Sequence, residues 1–232
     1  EKEGAIMFKS PGYDFEWDDA IRGKITFPAS EVKDFVIIKA DGFPVYHFNS
    51  VIDDIDMKIS HVIRGEEHIS NTPRQIALFE ALGAKHPVFA HFPTLRNEEH
   101  KKLSKRRDPV DLRLYREAGY LPQALLNFLC LFGWSHPEEK DKFSLAEFVD
   151  KFTLERVRKS GPVFDTTKLD WLNGQYIREL DNEKFLHFAK EHVSANVSDE
   201  LLKQIVPLIK ERINKFSQVE PLVKFFWETP AI

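Results

Sequence analysis

Three short apolar runs alternate with two amphipathic segments in the first hundred residues. The runs DFVIIK (34–39), ISHVIRG (59–65) and PVFAHFPTL (87–95) have the length of buried strands. The segments between them, 46–58 and 70–83, carry apolar residues at helical spacing. This order of strand, helix, strand, helix and strand predicts three parallel strands joined by right-handed crossovers.

The second of these helices has start and stop signals. Asn71 or Thr72 is expected to cap it, and Pro73 lies near its first turn. Gly83 is expected to end it.

The pattern changes on either side of this region. Residues 13–30 are predicted to be irregular, because Gly and Pro interrupt them. From about residue 110 onward, apolar residues recur every three or four positions, which predicts helices. These helical segments are DLRLYREAGY, LPQALLNFLCLFGW, SLAEFVDKF, TTKLDWLNGQYIREL, NEKFLHFAKEH and SDELLKQIVPLIKERI. We therefore expect an α/β part, then a mainly helical part, with a further helical domain beginning near residue 181.

Composition narrows the class of protein. With 42% hydrophobic and 30% charged residues, the 232-residue chain is typical of globular proteins and not of disordered ones. The single cysteine, Cys130, excludes a disulfide framework and a cysteine-cluster zinc site, and it fits a reducing compartment. No apolar run reaches the roughly 18 residues of a membrane-spanning helix. The N-terminal segment has neither a starting Met nor the apolar region of a signal peptide.

One basic stretch stands out in a chain whose net charge is −4. Residues 98–109, EEHKKLSKRRDP, surround Ser104 with cations: Lys101, Lys102, Lys105, Arg106 and Arg107. Most basic runs are solvated loops. Here, however, an acidic chain concentrates its cations around a hydroxyl, a combination that suits a polyphosphate.

The expected position of this stretch also favours a ligand. In open parallel sheets, ligands bind outside the carboxyl ends of the strands. RGEEH follows the second predicted strand and KKLSKRR follows the third, so both loops are expected at the same edge of the sheet.

KLSKR (102–106) resembles KMSKS, the second signature of the class I aminoacyl-tRNA synthetases. Residues 41–75 resemble the glutamate-specific branch of that family almost throughout, and 119–135 and 159–177 resemble segments of bacterial-type glutamyl-tRNA synthetases. The resemblance extends from about Phe15 to the end of the chain. It implies the C-terminal half of a Rossmann-like parallel-sheet catalytic domain, then a mainly helical stem-contact region and the start of a helical domain.

The resemblance implies a division into four parts. Residues 1–40 would end the acceptor-binding insertion, and 41–100 would form the second half of the catalytic domain. Residues 101–180 would hold the KMSKS loop and the stem-contact domain, and 181–232 would begin the helical anticodon-binding domain.

The implied activity is that of a glutamate–tRNA ligase. Such an enzyme activates L-glutamate with ATP, accompanied by Mg²⁺, and transfers the glutamyl group to the 3′ end of tRNA(Glu). No covalent enzyme intermediate is needed. We expect a cytoplasmic monomer with no protein-bound zinc, no other protein-bound metal and no membrane partner.

The resemblance also assigns residues. Tyr46 and Arg64 would bind glutamate, and Ser50, about one turn further along, is expected to line the same pocket. A guanidinium fork suits a carboxylate and should reject the amide of glutamine. The ATP-binding residues would be Glu67, Lys102, Leu103, Ser104, Lys105 and Arg106, among which Lys102, Ser104 and Lys105 would act on the phosphates in catalysis.

Simpler structural interpretations stay open for several of these positions. Arg64 can pair with Glu66 or Glu67, and Tyr46 can be a half-buried aromatic residue at a helix start. His68 faces the adenosine or only packs.

Two further stretches also have simpler interpretations. Asp53 and Asp54 suggest a metal or acid–base pair, but helix polarity and salt bridges explain them better. LERVRKS (154–160), read as a charge-rich helix, contacts tRNA phosphates or is a solvated face.

The first signature of the class I enzymes, HIGH, is missing. None of the nine histidines belongs to an HxGH-like string. We therefore expect the isolated 232 residues to form no adenylate, which ATP–pyrophosphate exchange would check. Three alternatives are a paralogue that glutamylates a tRNA anticodon base, the archaeal and eukaryotic branch, and a non-catalytic tRNA-binding fragment. The helical sequence after Arg106 speaks against the first two.

Overall fold

The computed structural model describes residues 4–103, 110–194 and 197–227. The chain divides into two compact units. The first comprises Glu1–Thr94 and Thr153–Gly161, and the second comprises Leu95–Phe152 and Pro162–Ile232.

The described residues of the first unit form three pairs of strands. The strands are β1 (Ile6–Phe8), β2 (Phe15–Asp19), β3 (Gly23–Phe27), β4 (Phe35–Ile38), β5 (His61–Gly65) and β6 (Val88–Phe92). β1 pairs with β4 and β2 with β3, both antiparallel, whereas β5 and β6 are parallel. The predicted parallel arrangement of the second and third apolar runs is therefore confirmed.

Two helices connect and cover these strands. α1 (Tyr46–Asp56) lies between β4 and β5 in the chain, and α2 (Thr72–Ala81) lies between β5 and β6. α2 is buried along most of its length, because Ile76 and Ala77 pack with Phe89 of β6 while Leu78 and Phe79 pack with Val51 of α1. Short 3₁₀ turns occupy Ala29–Glu31, Glu66–Asn71 and Leu154–Arg156.

The prediction that β4 joins a three-stranded parallel sheet is wrong. The described partner of β4 is β1, which is antiparallel to it. β1 takes the place beside β4 that the prediction gave to a parallel strand, and the chain turns directly after β4, where Gly42 has φ +86° and the Lys39 N–H donates to the Phe43 carbonyl over 2.8 Å. The chain doubles back at once, and the Val45 N–H donates to the Ile37 carbonyl before α1 begins.

The prediction that residues 13–30 are irregular is also wrong. β2 and β3 form a hairpin in register from Phe15↔Phe27 to Asp19↔Gly23. Phe15, Trp17 and Asp19 are buried while the residues between them are exposed, which is strand alternation. Only the buried Asp19 departs from the alternation of apolar and polar residues in β2.

Within the residues that the structure describes, the regular structure of the second unit is helical, as predicted. Its helices in the described residues are α3 (Leu112–Glu117), α4 (Pro122–Cys130), α5 (Leu145–Lys151), α6 (Thr166–Glu179), α7 (Asn182–Lys190), α8 (Asp199–Ile209) and α9 (Val219–Val223). Several begin at a side chain that accepts a hydrogen bond from the first-turn backbone: Asp111, Ser144, Asp165, Asp181 and Ser198. Fully buried residues such as Phe185, Ile177 and Ile213 form its largest core cluster.

Two local predictions need correction. Residues 154–160 form one 3₁₀ turn, Leu154–Arg156, and then continue through Val157 in extended backbone, so they are not the helix we expected. α2 follows directly on the 3₁₀ turn, and its N-cap residue Asn71 makes no side-chain cap. The Asn71 amide contacts His68 Nδ1 at 3.0 Å instead.

Candidate functional site

The carboxyl ends of β5 and β6 lie side by side. Their parallel register places Gly65 opposite Phe92. Glu66 then links the two strand ends, because its Oε1 accepts a 2.8 Å hydrogen bond from the Thr94 N–H. Its Oε2 lies 2.5 Å from Nη2 of Arg22. The loop after β5 is therefore fixed at the edge of the sheet where ligands of α/β folds bind.

Arg64, the last side chain of β5 before Gly65, is held by neutral groups. Its Nε donates to His91 Nε2 over 3.1 Å, and its Nη2 donates to Thr72 Oγ1 over 2.9 Å. The His68 carbonyl lies 3.4 Å from Nη2, and the guanidinium carbon lies 5.5 Å from the centre of the Phe89 ring. Glu66 pairs with Arg22 in this arrangement, so the simpler pairing of Arg64 with Glu66 is not found.

The charge of Arg64 is partly desolvated. Burial lowers the pKa of its guanidinium, and the nearby Tyr46 phenol and Asp54 carboxylate oppose that shift. A partly buried cation whose hydrogen-bond partners are neutral keeps its attraction for an anion. The arrangement thus suits a carboxylate ligand.

Tyr46 and Ser50 lie on the first turns of α1, on the same unit as Arg64. Tyr46 is 55% exposed, and its phenol lies near enough to the Arg64 guanidinium to oppose the lowering of the pKa of Arg64. The Ser50 hydroxyl donates to the His47 carbonyl over 3.3 Å and accepts from Gln75 Nε2 over 2.8 Å. The structure therefore brings Tyr46 and Arg64 together, and a buried residue of α2 holds Ser50.

His47 and Asp54 line the same helix. Burial lowers the pKa of His47, with smaller contributions from Arg74 and Arg64. Burial raises the pKa of Asp54, which the Arg64 charge opposes. Among the residues that the structure describes, no group of three or more His, Cys, Asp or Glu side chains has the arrangement of a metal site. The interpretation of Asp53 and Asp54 as polar residues of a helix stays a prediction.

Glu67 and His68 belong to the 3₁₀ turn after β5. The Glu67 carboxylate lies directly over Gly65, where a Cβ would come within 2.3 Å of its Oε2. Glycine at 65 thus leaves room for the Glu67 side chain. His68 contributes its carbonyl to Arg64 and its ring to Asn71.

The sequence reasoning missed two buried residues behind Arg64. Asp19 and His91 have side chains that are 0% exposed, and the Nδ1 of His91 lies 2.5 Å from the Oδ2 of Asp19. The signal for His91 was visible, since it is the polar residue within the apolar run VFAHF. The sequence gives no comparable sign for Asp19. In WDD it stands next to Asp18, and nothing in the sequence indicates that Asp19 is buried while Asp18 is exposed.

The basic stretch belongs to the second unit. Lys102 forms an antiparallel backbone bridge with Arg96, and the Leu103 N–H donates to the Leu95 carbonyl over 3.1 Å. The Asn97 side chain accepts from the Lys101 N–H over 3.0 Å, so residues 95–103 fold back on themselves. Lys102 is exposed and Leu103 half-buried. Ser104, Lys105, Arg106 and Arg107 lie outside the described residues, and so the choice between a phosphate loop and a solvated loop stays a prediction.

No helix in the described ranges is both long enough and apolar enough to cross a membrane.

Comparison with known families assigns most of the chain. Residues 1–171 match the family described as "tRNA synthetases class I (E and Q), catalytic domain". A glutamate–tRNA ligase from Burkholderia multivorans is 41% identical over 222 residues, which cover 93% of this chain and 47% of that protein. Glutamate–tRNA ligase 1 from Fervidobacterium nodosum is 39% identical over 226 residues, covering 97% and 48% respectively. The chain thus spans about half the length of these curated relatives.

Solved structures agree with these sequence matches. A glutamate tRNA ligase from Elizabethkingia meningosepticum in complex with its amino acid has a TM-score of 0.89 and 37% identity, over 97% of this chain and 49% of that one. The glutamate–tRNA synthetase from Elizabethkingia anophelis has a TM-score of 0.90 and 37% identity, over 97% and 50%. The expected α/β fold with parallel strands and a mainly helical part is therefore confirmed.

Proposed function

We propose that this chain provides residues that contact glutamate and the phosphates of ATP in a glutamate–tRNA ligase. The chain belongs to the class I tRNA synthetases for glutamate and glutamine. The named relatives support glutamate as the amino acid. Because the chain spans about half of each relative, the activity belongs to the whole protein that carries these residues. The 232 residues alone are expected to form no adenylate, since they contain no HxGH-like string.

The reaction has two steps. The α-carboxylate of glutamate attacks the α-phosphate of ATP, forming glutamyl-adenylate and releasing pyrophosphate, with Mg²⁺ entering as part of the ATP substrate. A hydroxyl of the terminal ribose of tRNA(Glu) then attacks the activated carbonyl, and AMP leaves. Neither step requires a covalent bond to the protein, so catalysis rests on positioning and charge stabilisation.

Glutamate recognition is assigned to Arg64, Tyr46 and Ser50. The observation that supports this assignment most directly is the environment of the Arg64 guanidinium at the carboxyl end of a parallel strand. The guanidinium is partly buried, is hydrogen-bonded to neutral groups and lies beside the exposed Tyr46. Two parallel N–H donors bind a carboxylate, whereas the amide of glutamine would place its own N–H donors against them. Arg64 therefore discriminates glutamate from glutamine.

Phosphate binding is assigned to the loop around Ser104. Lys102, Ser104 and Lys105 stabilise the charge that accumulates on the departing pyrophosphate, and Leu103 and Arg106 complete the loop. Glu67 binds the ATP from the turn after β5. The support for these roles is the family membership and the similarity of KLSKR to the second signature of that family.

The remaining assignments concern the tRNA-contacting regions, the partners and the cellular location of the protein. Residues 101–180 contain the stem-contact region. Within it, the segment LERVRKS (154–160) contacts the phosphates of tRNA(Glu). The remaining ranges have the following roles: 1–40 end the acceptor-binding insertion, 41–100 form the second half of the catalytic domain, and 181–232 begin the helical anticodon-binding domain. The protein acts as a monomer in the cytoplasm. Its partners are ATP and tRNA, and it binds neither zinc nor a membrane.

A charging assay with the whole protein tests this proposal. Radiolabelled glutamate should be transferred to tRNA(Glu) in an ATP-dependent reaction, whereas labelled glutamine should not. Periodate oxidation of the tRNA before the assay destroys the terminal ribose diol and should abolish the transfer. Labelling that survives oxidation would favour glutamylation of an anticodon base, and binding of tRNA without any labelling would favour a non-catalytic role.

A further inference from the structure

A buried carboxylate determines the proton position on His91. The Oδ1 of Asp19 accepts hydrogen bonds from the backbone N–H groups of Ile21 at 3.1 Å, Arg22 at 2.9 Å and His91 at 3.1 Å. Its Oδ2 faces the Nδ1 of His91 at 2.5 Å. An ionised carboxylate can only accept hydrogen bonds, so the Nδ1 of His91 is the nitrogen that carries a proton.

Asp19 is ionised throughout the working pH range. Burial alone would raise its pKa, but the hydrogen bonds from His91 and from the backbone outweigh it and lower the pKa to about 2. The carboxylate therefore keeps its acceptor role.

The other ring nitrogen of His91 is fixed from the opposite side. Its Nε2 lies 3.1 Å from the Nε of Arg64, which is a donor and never an acceptor. A proton on Nε2 would face the Arg64 Nε–H beside a guanidinium charge, and the Thr72 hydroxyl, 3.3 Å from Nε2, already accepts from Arg64 Nη2 over 2.9 Å. His91 is thus the neutral tautomer with its proton on Nδ1, a state fixed at one end by Asp19 and at the other by Arg64.

This tautomer orients the guanidinium. With Nε bonded to His91 and Nη2 bonded to Thr72 Oγ1, one edge of the Arg64 fork faces the protein. The Phe89 ring lies 5.5 Å from the guanidinium carbon and restricts its plane. An arginine already held in one orientation loses less side-chain entropy when a ligand binds.

We infer that Asp19 and His91 are positioning residues for glutamate binding, because together they present an Nε2 acceptor that orients Arg64 toward the ligand carboxylate. This inference rests on the proposed role of Arg64. Neither residue touches the substrate, and both act through the direction of a single hydrogen bond.

Asp19→Asn reverses that direction with almost no change in shape. The new amide oxygen is held by the three backbone N–H donors, so the NH₂ group must face His91 Nδ1. His91 then accepts at Nδ1 and carries its proton on Nε2, against the Arg64 Nε–H. The backbone bonds of the loop after β2 are kept, which separates the effect on Arg64 from a loss of folding.

Charging kinetics of the whole protein provide the first test. We expect Asp19→Asn to raise the KM for glutamate about tenfold while the KM for ATP changes less than about twofold. Asp18→Asn, the exposed neighbour on the same strand, should leave both unchanged. Equal rises in both KM values, or an unchanged KM for glutamate, would overturn the inference.

Substitution of His91 by glutamine gives the second test. A glutamine side chain in place of His91 can donate its NH₂ to the ionised Asp19 and turn its carbonyl oxygen toward Arg64, so His91→Gln alone should keep the KM for glutamate within about threefold of the original protein. In the double variant Asp19→Asn/His91→Gln, the NH₂ of the new asparagine faces the glutamine amide, whose own NH₂ then faces Arg64, so the KM should rise as in Asp19→Asn. A double variant that binds glutamate as well as His91→Gln does would contradict a role through the direction of this hydrogen bond.

¹⁵N NMR of histidine-labelled protein reads the tautomer without any assay of activity. The His91 resonances should show a protonated Nδ1 in the unaltered protein and a protonated Nε2 in Asp19→Asn. If the protein charges no tRNA but shows this switch, the proposed function fails and the Asp19–His91 pairing stands. If charging is normal and no switch appears, the positioning role fails alone.

Discussion

Nε2 of Gln75 donates a 2.8 Å hydrogen bond to Oγ of Ser50 and so joins α2 to the second turn of α1. The Ser50 hydroxyl gives its own proton to the His47 carbonyl over 3.3 Å. With its proton used inside the helix, Ser50 can only accept from a ligand. In the glutamate pocket it therefore suits the α-ammonium group rather than a carboxylate.

Gln75→Leu tests this arrangement. Leucine fills much of the same buried space but leaves Ser50 without the donor that orients it. We expect the KM for glutamate to rise about fivefold at unchanged kcat, which corresponds to one lost hydrogen bond of about 1 kcal/mol. Charging kinetics measure both, and Gln123→Leu, on an exposed position of α4, is the matched control. A fall in kcat with constant KM would contradict the role of Ser50.

The pH dependence of stability follows from Asp19. Its pKa is lowered from 3.8 in the unfolded chain to about 2 in the folded chain. The folded chain therefore binds a proton at Asp19 more weakly than the unfolded chain does. Ionised Asp19 thus stabilises the fold by about 2 kcal/mol above about pH 4, and this contribution is lost as pH falls to about 2.

Urea unfolding of the original protein and of Asp19→Asn measures that contribution. The difference in unfolding free energy should be constant between about pH 5 and pH 7 and shrink between about pH 4 and pH 2. A difference that grows as the pH falls would have the wrong sign.

Gly119 is a position where any side chain should be costly. It has φ +80°, and a Cβ there would lie 2.6 Å from the backbone nitrogen of Phe216. That nitrogen donates to the Gly119 carbonyl over 3.1 Å, so the two backbones cannot separate without losing a hydrogen bond. We expect Gly119→Ala to lower the unfolding free energy by about 3 kcal/mol.

Gly83→Ala provides the matched control. Gly83 also has a positive φ, +68°, but an added Cβ would meet no atom of the described chain within 4 Å. Only backbone strain of about 1 kcal/mol should result. Thermal unfolding followed by circular dichroism compares the two variants, and equal losses would show that the contact with Phe216 is unimportant.

Cys130 should react slowly. Burial raises the pKa of its thiol, and the thiolate is the reactive form. We expect dithionitrobenzoate to modify the folded protein at least about fivefold more slowly at about pH 8 than the urea-unfolded protein. Equal rates in the two states would mean that the thiol is accessible and its pKa ordinary.

The sequence predicted the elements that carry the site better than their pairing. Periodicity located α1, α2, β5 and β6, because each segment has one apolar face or a buried run. It failed for β4, because β4 pairs with β1, a three-residue strand that the hydrophobic pattern did not predict.

For the site, family resemblance named Arg64 and Tyr46, which the structure brings together. Asp19 and His91 were missed because their pairing spans 72 residues, a separation that no local motif encodes. The residues that recognise a ligand leave a motif in the sequence, whereas the residues that hold them depend on the tertiary fold.

Charging of tRNA(Glu) by the whole protein and by its Arg64→Leu and Lys105→Ala variants tests the central claim most directly. Arg64→Leu should raise the KM for glutamate about a hundredfold, since a charge-assisted fork is lost. Lys105→Ala should lower kcat about a hundredfold while the KM for glutamate changes less than about threefold. Lys85→Ala, which removes an exposed lysine after α2, should change neither constant. The reverse pattern, with turnover lost at Arg64 and glutamate binding lost at Lys105, would contradict the account.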